Sequence, residues 1–216
     1  MNTLRYTLRG EGTSDKMLMP ILAWVMDQHF PNAELYSQFA DASSMPPKSG
    51  RSLAASIRDV LNWYPCDVLF VHRDADHPQN EEQRREEIHN AFNTALLSVT
   101  YPIPIVPIRM SEAWMLIEEV AIRNAAGNPN GNVKLNLPAP AKIEAIPQPK
   151  EMLCELLTSA CELSGRRLKA FQPLSCIPRV AQYIRDFTPL RKLPAFQRFE
   201  RDVQSFAEEY SNGMNC

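Results

Sequence analysis

The period of apolar and polar positions changes repeatedly along the chain. In residues 3–9, Leu4, Tyr6 and Leu8 alternate with polar neighbours, the period of a strand with one buried face. Residues 10–14 read as a turn, and Thr13 or Ser14 is placed to cap a helix running to about His29. Pro20 falls inside that helix and is expected to kink it. Residues 33–39 form a second predicted strand, followed by a polar loop rich in Pro, Ser and Gly as far as Gly50. Leu53, Ile57, Val60 and Leu61 recur at helical spacing, which predicts a helix over 51–63. The run Val-Leu-Phe-Val within 67–72 is short and β-rich, as a buried central strand requires. A charged helix is predicted over 81–98, with Ile88, Phe92 and Leu96 as its apolar stripe. Residues 103–108 read as a fourth strand, which Pro104 and Pro107 push toward a sheet edge. Ser111 then caps a helix through about Ala126.

Four strand–helix alternations predict an α/β fold: a mostly parallel sheet flanked by helices on both faces. Right-handed crossovers between parallel strands bring all the carboxyl ends to one edge. The pattern stops at residues 127–150, which hold five prolines and no periodicity, and which read as a functional loop or flexible connector. Helices are predicted again over 151–163 and 177–187. Phe196, Phe199, Val203, Phe206 and Tyr210 then form a stripe at helical spacing, best read as core packing. The chain thus divides into an α/β core (1–126), a Pro/Asn-rich loop (127–150) and a helical C-terminal segment (151–216).

Apolar residues at 44% and charged residues at 22% exclude a disordered chain, and a net charge of −2 gives no overall field. The charge is unevenly placed, however. Nine basic and two acidic residues lie between Arg166 and Arg201, a local excess of +7. Such a stretch is either a polyanion-binding face or a set of solvated helix faces, and Arg166, Arg167, Lys169 and Arg179 are its candidate nucleic-acid contacts. The longest apolar run, residues 17–26, is too short to span a membrane. Five cysteines without a CxxC pair argue against a disulfide framework or zinc site, and the N-terminal residues do not resemble a signal peptide. A cytoplasmic protein is expected.

The candidate chemistry lies on the sheet edge. Glu11 and Asp15 follow the first strand, Asp74 and Asp76 the third, and Glu112 the fourth. Carboxylates crowded there would raise one another's pKa, a penalty that Mg²⁺ or Mn²⁺ removes with hard oxygen ligands. Gly12 suits a tight turn whose amides are open to phosphate. His72 and His77 flank the Asp-x-Asp; each is a candidate phosphate contact or proton relay, with a structural role the commoner one at a strand end. Arg73 is expected to pair with a neighbouring acid ahead of contacting phosphate. Ser14 reads as a cap, the 81–87 charge run as a solvated helix face, and Trp114 as packing.

Glu-Gly-x-x-Asp (Glu11 to Asp15) after a first strand, followed by Asp-x-Asp (Asp74, Asp76) after a later one, resembles the TOPRIM superfamily of topoisomerases, primases and OLD nucleases. A closer likeness is to a TOPRIM-like family often encoded beside an ATPase in bacterial mobile and defence loci. Its Glu-x-Trp-x-x-x-acid and Pro-Lys segments look like residues 112–118 and Pro149-Lys150, though members often carry Asp where this chain has Glu118. Glu112 and Glu119 would share a face of one continuous helix, so the second acid stays open between Glu118 and Glu119.

The resemblance implies catalytic metal on Glu11, Asp74 and Asp76, with Glu11 or Asp15 near the nucleophile and Lys150 on the scissile phosphate. The expectation is a metal-dependent nuclease acting on nucleic acid, DNA ahead of RNA, with a separate ATPase as partner. No Walker-type phosphate loop occurs in the chain itself. A homo-oligomer is left open. The rival expectations are a Mg²⁺-dependent phosphatase or phosphotransfer domain, and a non-catalytic binding module.

Overall fold

In the computed structural model, which describes residues 2–41, 45, 52–95 and 100–213, four strands form a single parallel sheet in the order β2-β1-β3-β4. They are β1 (Asn2–Gly10), β2 (Ala33–Asp41), β3 (Val68–His72) and β4 (Tyr101–Ile105). Around them stand α1 (Met19–His29), α2 (Leu53–Trp63), α3 (Glu81–Ala95), α4 (Glu119–Ala125), α5 (Pro149–Ala160), α6 (Gly165–Ala170), α7 (Pro173–Tyr183) and α8 (Pro194–Gly213). The outer part of the loop through Gly50, the start of the second predicted helix at Arg51, and Leu96 to Ser98 lie outside the described residues.

The strand pattern sorts the helices onto two faces. Leu4, Tyr6, Leu8, Val68, Phe70, Ile103 and Ile105 point into one apolar cluster with α1, α5, α7 and α8. Leu69 and Val71 point the other way, into a second cluster with α2 and α3. β3 is buried at every position, as its continuous apolar run requires of a central strand. β4 is an edge strand, where Pro102 and Pro104 face Leu69 and Val71 without disturbing a ladder on their outer side.

The predicted first and fourth helices are each broken. Thr13–Leu18 is a 3-10 helix capped at Gly12, not at Thr13 or Ser14, and α1 starts only at Met19. Pro20 therefore occupies the first turn of α1, where its missing N–H has no partner to lose, and it does not kink the helix. Ser111–Met115 is likewise a separate 3-10 helix capped at Met110, and α4 begins at Glu119. Glu112 and Glu119 thus share no continuous helix.

Residues 127–150 are neither a flexible connector nor wholly irregular. Pro140–Ala145 forms a 3-10 helix, and Leu135 and Ile143 are buried in the larger apolar cluster. Arg123 donates to the Val133 carbonyl at 2.6 Å, Glu162 accepts from the Val133 amide at 2.9 Å, and Asn128 donates to the Ala160 carbonyl at 3.0 Å. These bonds pin the segment to α4 and α5.

The aromatic stripe of α8 is core. Phe196, Phe199, Val203 and Phe206 are buried, and Trp114 packs against Phe196 and Phe199 with ring centroids 5.3 and 6.2 Å apart. α7 packs on the Thr13–Leu18 turn, so the C-terminal helices buttress the end of β1. Among the described residues, no helix is long and apolar enough to cross a membrane, and Cys66, Cys154, Cys161 and Cys176 are free thiols.

Candidate active site

The order β2-β1-β3-β4 reverses direction between β1 and β3: β1 is followed by β2 on one side, and β3 by β4 on the other. In open parallel sheets, ligands bind in the crevice beyond the carboxyl ends at such a switch point. β1 delivers Glu11, and β3 ends at His72 and delivers Arg73, Asp74 and Asp76.

Asp15 is the pivot. It is buried, and its Oδ2 accepts hydrogen bonds from the Glu11 amide at 2.6 Å, the Gly12 amide at 3.3 Å and His72 Nδ1 at 2.9 Å. Gly12 is in extended backbone with open space at its Cβ position, and its amide is occupied by Asp15, so the expected phosphate-facing glycine turn is not formed. The glycine requirement falls on Gly10, where a Cβ would meet Asp15 Cβ at 3.0 Å and Phe39 at 2.9 Å.

His72, only 1% exposed, continues the chain of contacts. Its Nε2 lies 3.1 Å from Asp74 Oδ1, which also accepts the Ser111 amide at 3.0 Å. A neutral imidazole has one N–H and could satisfy only one of the two carboxylates. Burial works against charging the ring, but the hydrogen bonds and charges of Asp15 and Asp74 outweigh it and raise the His72 pKa to about 9. His72 is therefore an imidazolium at neutral pH. Burial also pushes the Asp15 carboxyl up, yet His72 and the Glu11 and Gly12 amides bring it below its ordinary value. Crowding of acids is thus relieved by a cation of the protein's own, opposite to the mutual pKa elevation expected from the sequence.

The other acids are also met one by one. Arg73 Nε is 2.8 Å from Glu11 Oε1, and Arg73 NH1 is 3.6 Å from Glu87 Oε2. Arg84 NH1 is 3.0 Å from Glu87 Oε2, and its NH2 is 3.7 Å from Asp76 Oδ2. Lys150, in the first turn of α5, reaches the buried Glu112 at 3.2 Å. Asp76 adopts a left-handed φ of 61° and turns its largely exposed side chain toward Arg84, outside the Asp15–His72–Asp74 chain. Its backbone is tied to Arg109, whose carbonyl accepts the Asp76 amide at 3.2 Å.

The structure therefore brings Glu11, Asp15 and Asp74 to one crevice, with Glu112 and Lys150 adjoining through Ser111. Asp76 stands at the rim. Glu118 and Glu119 are engaged elsewhere: Glu118 accepts the Arg185 amide at 3.2 Å, and Glu119 pairs with Arg123 at 2.6 Å. His77 accepts from the Gln79 amide at the start of a 3-10 turn. Arg73 pairs with an acid, as its position suggested. Of the basic stretch, Arg166, Arg167 and Lys169 are exposed on α6, and Arg179 is exposed on α7 with its NH2 3.1 Å from Cys176 Sγ. Arg191 is bound by Glu200 at 2.7 Å and Arg198 by Glu81 at 3.4 Å, so part of the +7 excess is neutralised locally.

His72 takes the structural role that is the commoner one at a strand end, as the buried link between Asp15 and Asp74, and Arg84 and Glu87 join the rim without having been singled out from the sequence. The 81–87 run is not merely a solvated face, since Glu81 is buried and Arg84 and Glu87 enter the rim. For His72 a signal was present: it continues the parity of Val68 and Phe70, and so faces the core rather than solvent.

Oxygen donors of this kind suit a hard divalent cation. Six carboxylates (Glu11, Asp15, Asp74, Asp76, Glu87, Glu112) are paired with four cationic side chains (His72, Arg73, Arg84, Lys150). Arg109 adds a fifth cation at the Asp76 carbonyl, and the set stays net negative. As placed, no three His, Cys, Asp or Glu side chains among the described residues converge closely enough to hold an ion. The donor chemistry fits such an ion, but holding it requires Glu11 and Asp76 to exchange their arginines for it. No protein-family model matches the chain, and no curated protein or solved structure matches it.

Proposed function

We propose that the crevice between β1 and β3 is the active site of a TOPRIM-like, metal-dependent nuclease hydrolysing nucleic-acid phosphodiesters. The observation that carries this reading is the hydrogen-bonded chain from the Glu11 amide through Asp15, His72 and Asp74 to the Ser111 amide, set at the sheet's switch point. Glu11 and Asp74 would hold Mg²⁺ or Mn²⁺, with Asp76 joining from the rim. A bound divalent cation supplies a more acidic water and charge stabilisation on the phosphoryl oxygens.

The chain's own residues do the rest. Asp15 and His72 fix the rotamer of Asp74 from behind, with Oδ1 committed to His72 and the Ser111 amide. Glu112 holds the Lys150 ammonium at the same edge, where it meets a phosphate oxygen. Arg166, Arg167 and Lys169 on α6 bind the backbone of the nucleic acid without reading bases, which makes binding salt-sensitive and weakly sequence-specific. A separate ATPase is the partner this reading carries with it.

The test is cleavage of plasmid and of RNA in Mg²⁺ or Mn²⁺, with EDTA and Asp74→Ala as controls. Loss of cleavage in both controls supports the reading, and undiminished cleavage by Asp74→Ala overturns it.

One observation favours a second reading. Each carboxylate already has a cationic partner, with His72, Arg73 and Arg84 each serving two, as in a module that binds nucleic acid without catalysis. A melting temperature unchanged by Mg²⁺, together with retained nucleic-acid binding in Asp74→Ala, selects that alternative.

A further inference from the structure

Glu11, Arg73, Glu87, Arg84 and Asp76 form a ladder of alternating charge along the mouth of the crevice, with contacts of 2.8, 3.6, 3.0 and 3.7 Å in that order. Its two ends are candidate metal ligands. Its middle rung, Glu87, belongs to α3 and has no place in the chemistry proposed above. The rungs differ in quality. Arg84 donates twice to Glu87, at 3.0 and 3.2 Å to its two oxygens, a directed pairing. Arg73 Nε, although 2.8 Å from Glu11, is out of line for a hydrogen bond, and that buried nitrogen has no hydrogen-bond partner among the described residues. Arg84 Nε and Arg109 Nε are buried without partners in the same sense. Three guanidinium groups around one crevice thus have donors to spare, while Arg73's backbone is fixed by the hydrogen bond its N–H donates to the Ile105 carbonyl at 3.1 Å.

The geometry points to Arg73 as an exchangeable counter-charge: it neutralises Glu11 when no cation is bound, and turns to a phosphate of the nucleic acid when a divalent cation takes Glu11. Glu87 is the positioning residue that retains Arg73 and Arg84 at the mouth during this exchange. The inference rests on the nuclease reading and adds to it a phosphate-binding residue and a coupling. Cation and phosphate must strengthen each other's binding, because each releases a charge that the other needs. An exposed ion pair of this kind is worth up to about 1 kcal/mol, so the competition by Arg73 weakens cation binding by up to about fivefold.

The experiment is Mn²⁺ titration of the full chain, followed by the electron paramagnetic resonance signal of free Mn²⁺, with and without a short phosphorothioate oligonucleotide. Wild type, Arg73→Gln, Arg73→Lys and Glu11→Gln are compared, with circular dichroism as the folding check. Without oligonucleotide, Arg73→Gln is expected to bind Mn²⁺ several-fold more tightly than wild type, with Arg73→Lys near wild type. Adding oligonucleotide is expected to tighten Mn²⁺ binding by wild type but not by Arg73→Gln. Equal or weaker Mn²⁺ binding by Arg73→Gln, or an unchanged response to the oligonucleotide, overturns the exchange while leaving the metal site standing if Glu11→Gln binds less. Absence of Mn²⁺ binding by every form overturns the metal reading and the exchange together.

Discussion

Asp15 and Glu144 are both carboxylates withdrawn from solvent beside a 3-10 helix, yet burial leaves them in opposite states. Asp15, in the crevice, is hydrogen-bonded to the His72 imidazolium, which it shares with Asp74, and to two backbone amides, and its pKa falls. Glu144, beside the start of α8, is raised to about 7 by burial; the Ala195 amide at 3.1 Å and Arg198 act against this, and the charge of Glu81 adds to it. Arg198 is shared with Glu81 and Glu82, and Glu81 keeps one buried oxygen without a hydrogen-bond partner among the described residues. Burial alone therefore does not make a reactive acid. A hydrogen-bonded cation keeps Asp15 charged at neutral pH, whereas Glu144, reached by Arg198 only through its charge, is on the verge of neutralising at the α8 junction.

The sharpest way to break this contrast is to remove the hydrogen-bonded cation. His72→Ala leaves Asp15 buried and unpaired, and is expected to cost about 3–5 kcal/mol in urea unfolding at pH 7, the range for breaking one partner of a buried pair. Glu144→Gln removes a poorly compensated charge and is expected to cost less than about 1 kcal/mol at pH 8.

Lys150→Met comes next. It strips the counter-charge from Glu112, which is 3% exposed, and an expected loss of about 1–3 kcal/mol is measurable by the same denaturation.

The pH dependence separates the two regions by window rather than by sign. The folded pKa of Glu144, about 7, lies above its ordinary 4.5, so the stability it contributes is complete below pH 4.5 and is lost as pH rises through 7. His72, at about 9 against 6.5, contributes fully below pH 6.5 and loses its contribution as pH rises through 9. Unfolding midpoints in EDTA should fall in two steps. Glu144→Gln should remove the lower step and His72→Ala the upper.

The smallest effect on stability belongs to the exposed face of α6. Arg166→Ala/Arg167→Ala/Lys169→Ala is expected to change stability by less than about 0.5 kcal/mol, because none of the three is buried. If each residue meets a phosphate, the slope of binding affinity against salt falls by about 3 in a filter-binding titration.

Much of this architecture was legible in the chain. Alternation at Leu4, Tyr6 and Leu8 and the run at Val68 to Val71 determine strands directly, because a strand's faces are set by side-chain parity. Parallel order then puts the following acids on one edge, which is why Glu11, Asp15 and Asp74 could be grouped from spacing alone. Helix continuity was less legible. Pro20 is tolerated in a first turn and disruptive in a middle one, and only the tertiary packing of residues 13–18 decides which it is. The 127–150 segment looked loose because its anchors, Leu135 and Ile143, are single apolar residues without a period. Charge pairing was the least legible of all. The pairing of Arg73 with an acid was legible, but which acids it and Arg84 meet depends on α3 packing beside β4, a long-range contact that local pattern does not encode.

The central claim is that Glu11 and Asp74, sixty-odd residues apart in sequence, take up a common divalent ion in the β1/β3 crevice. Iron-directed cleavage tests it most directly: Fe²⁺ is bound in place of Mg²⁺, ascorbate and peroxide are added, and the cut sites are read by mass spectrometry. The account expects two clusters of backbone cuts, around residues 10–15 and 72–76, both suppressed by excess Mg²⁺ and by Asp74→Asn. Cuts confined to another part of the chain, or none above the level without iron, would contradict it.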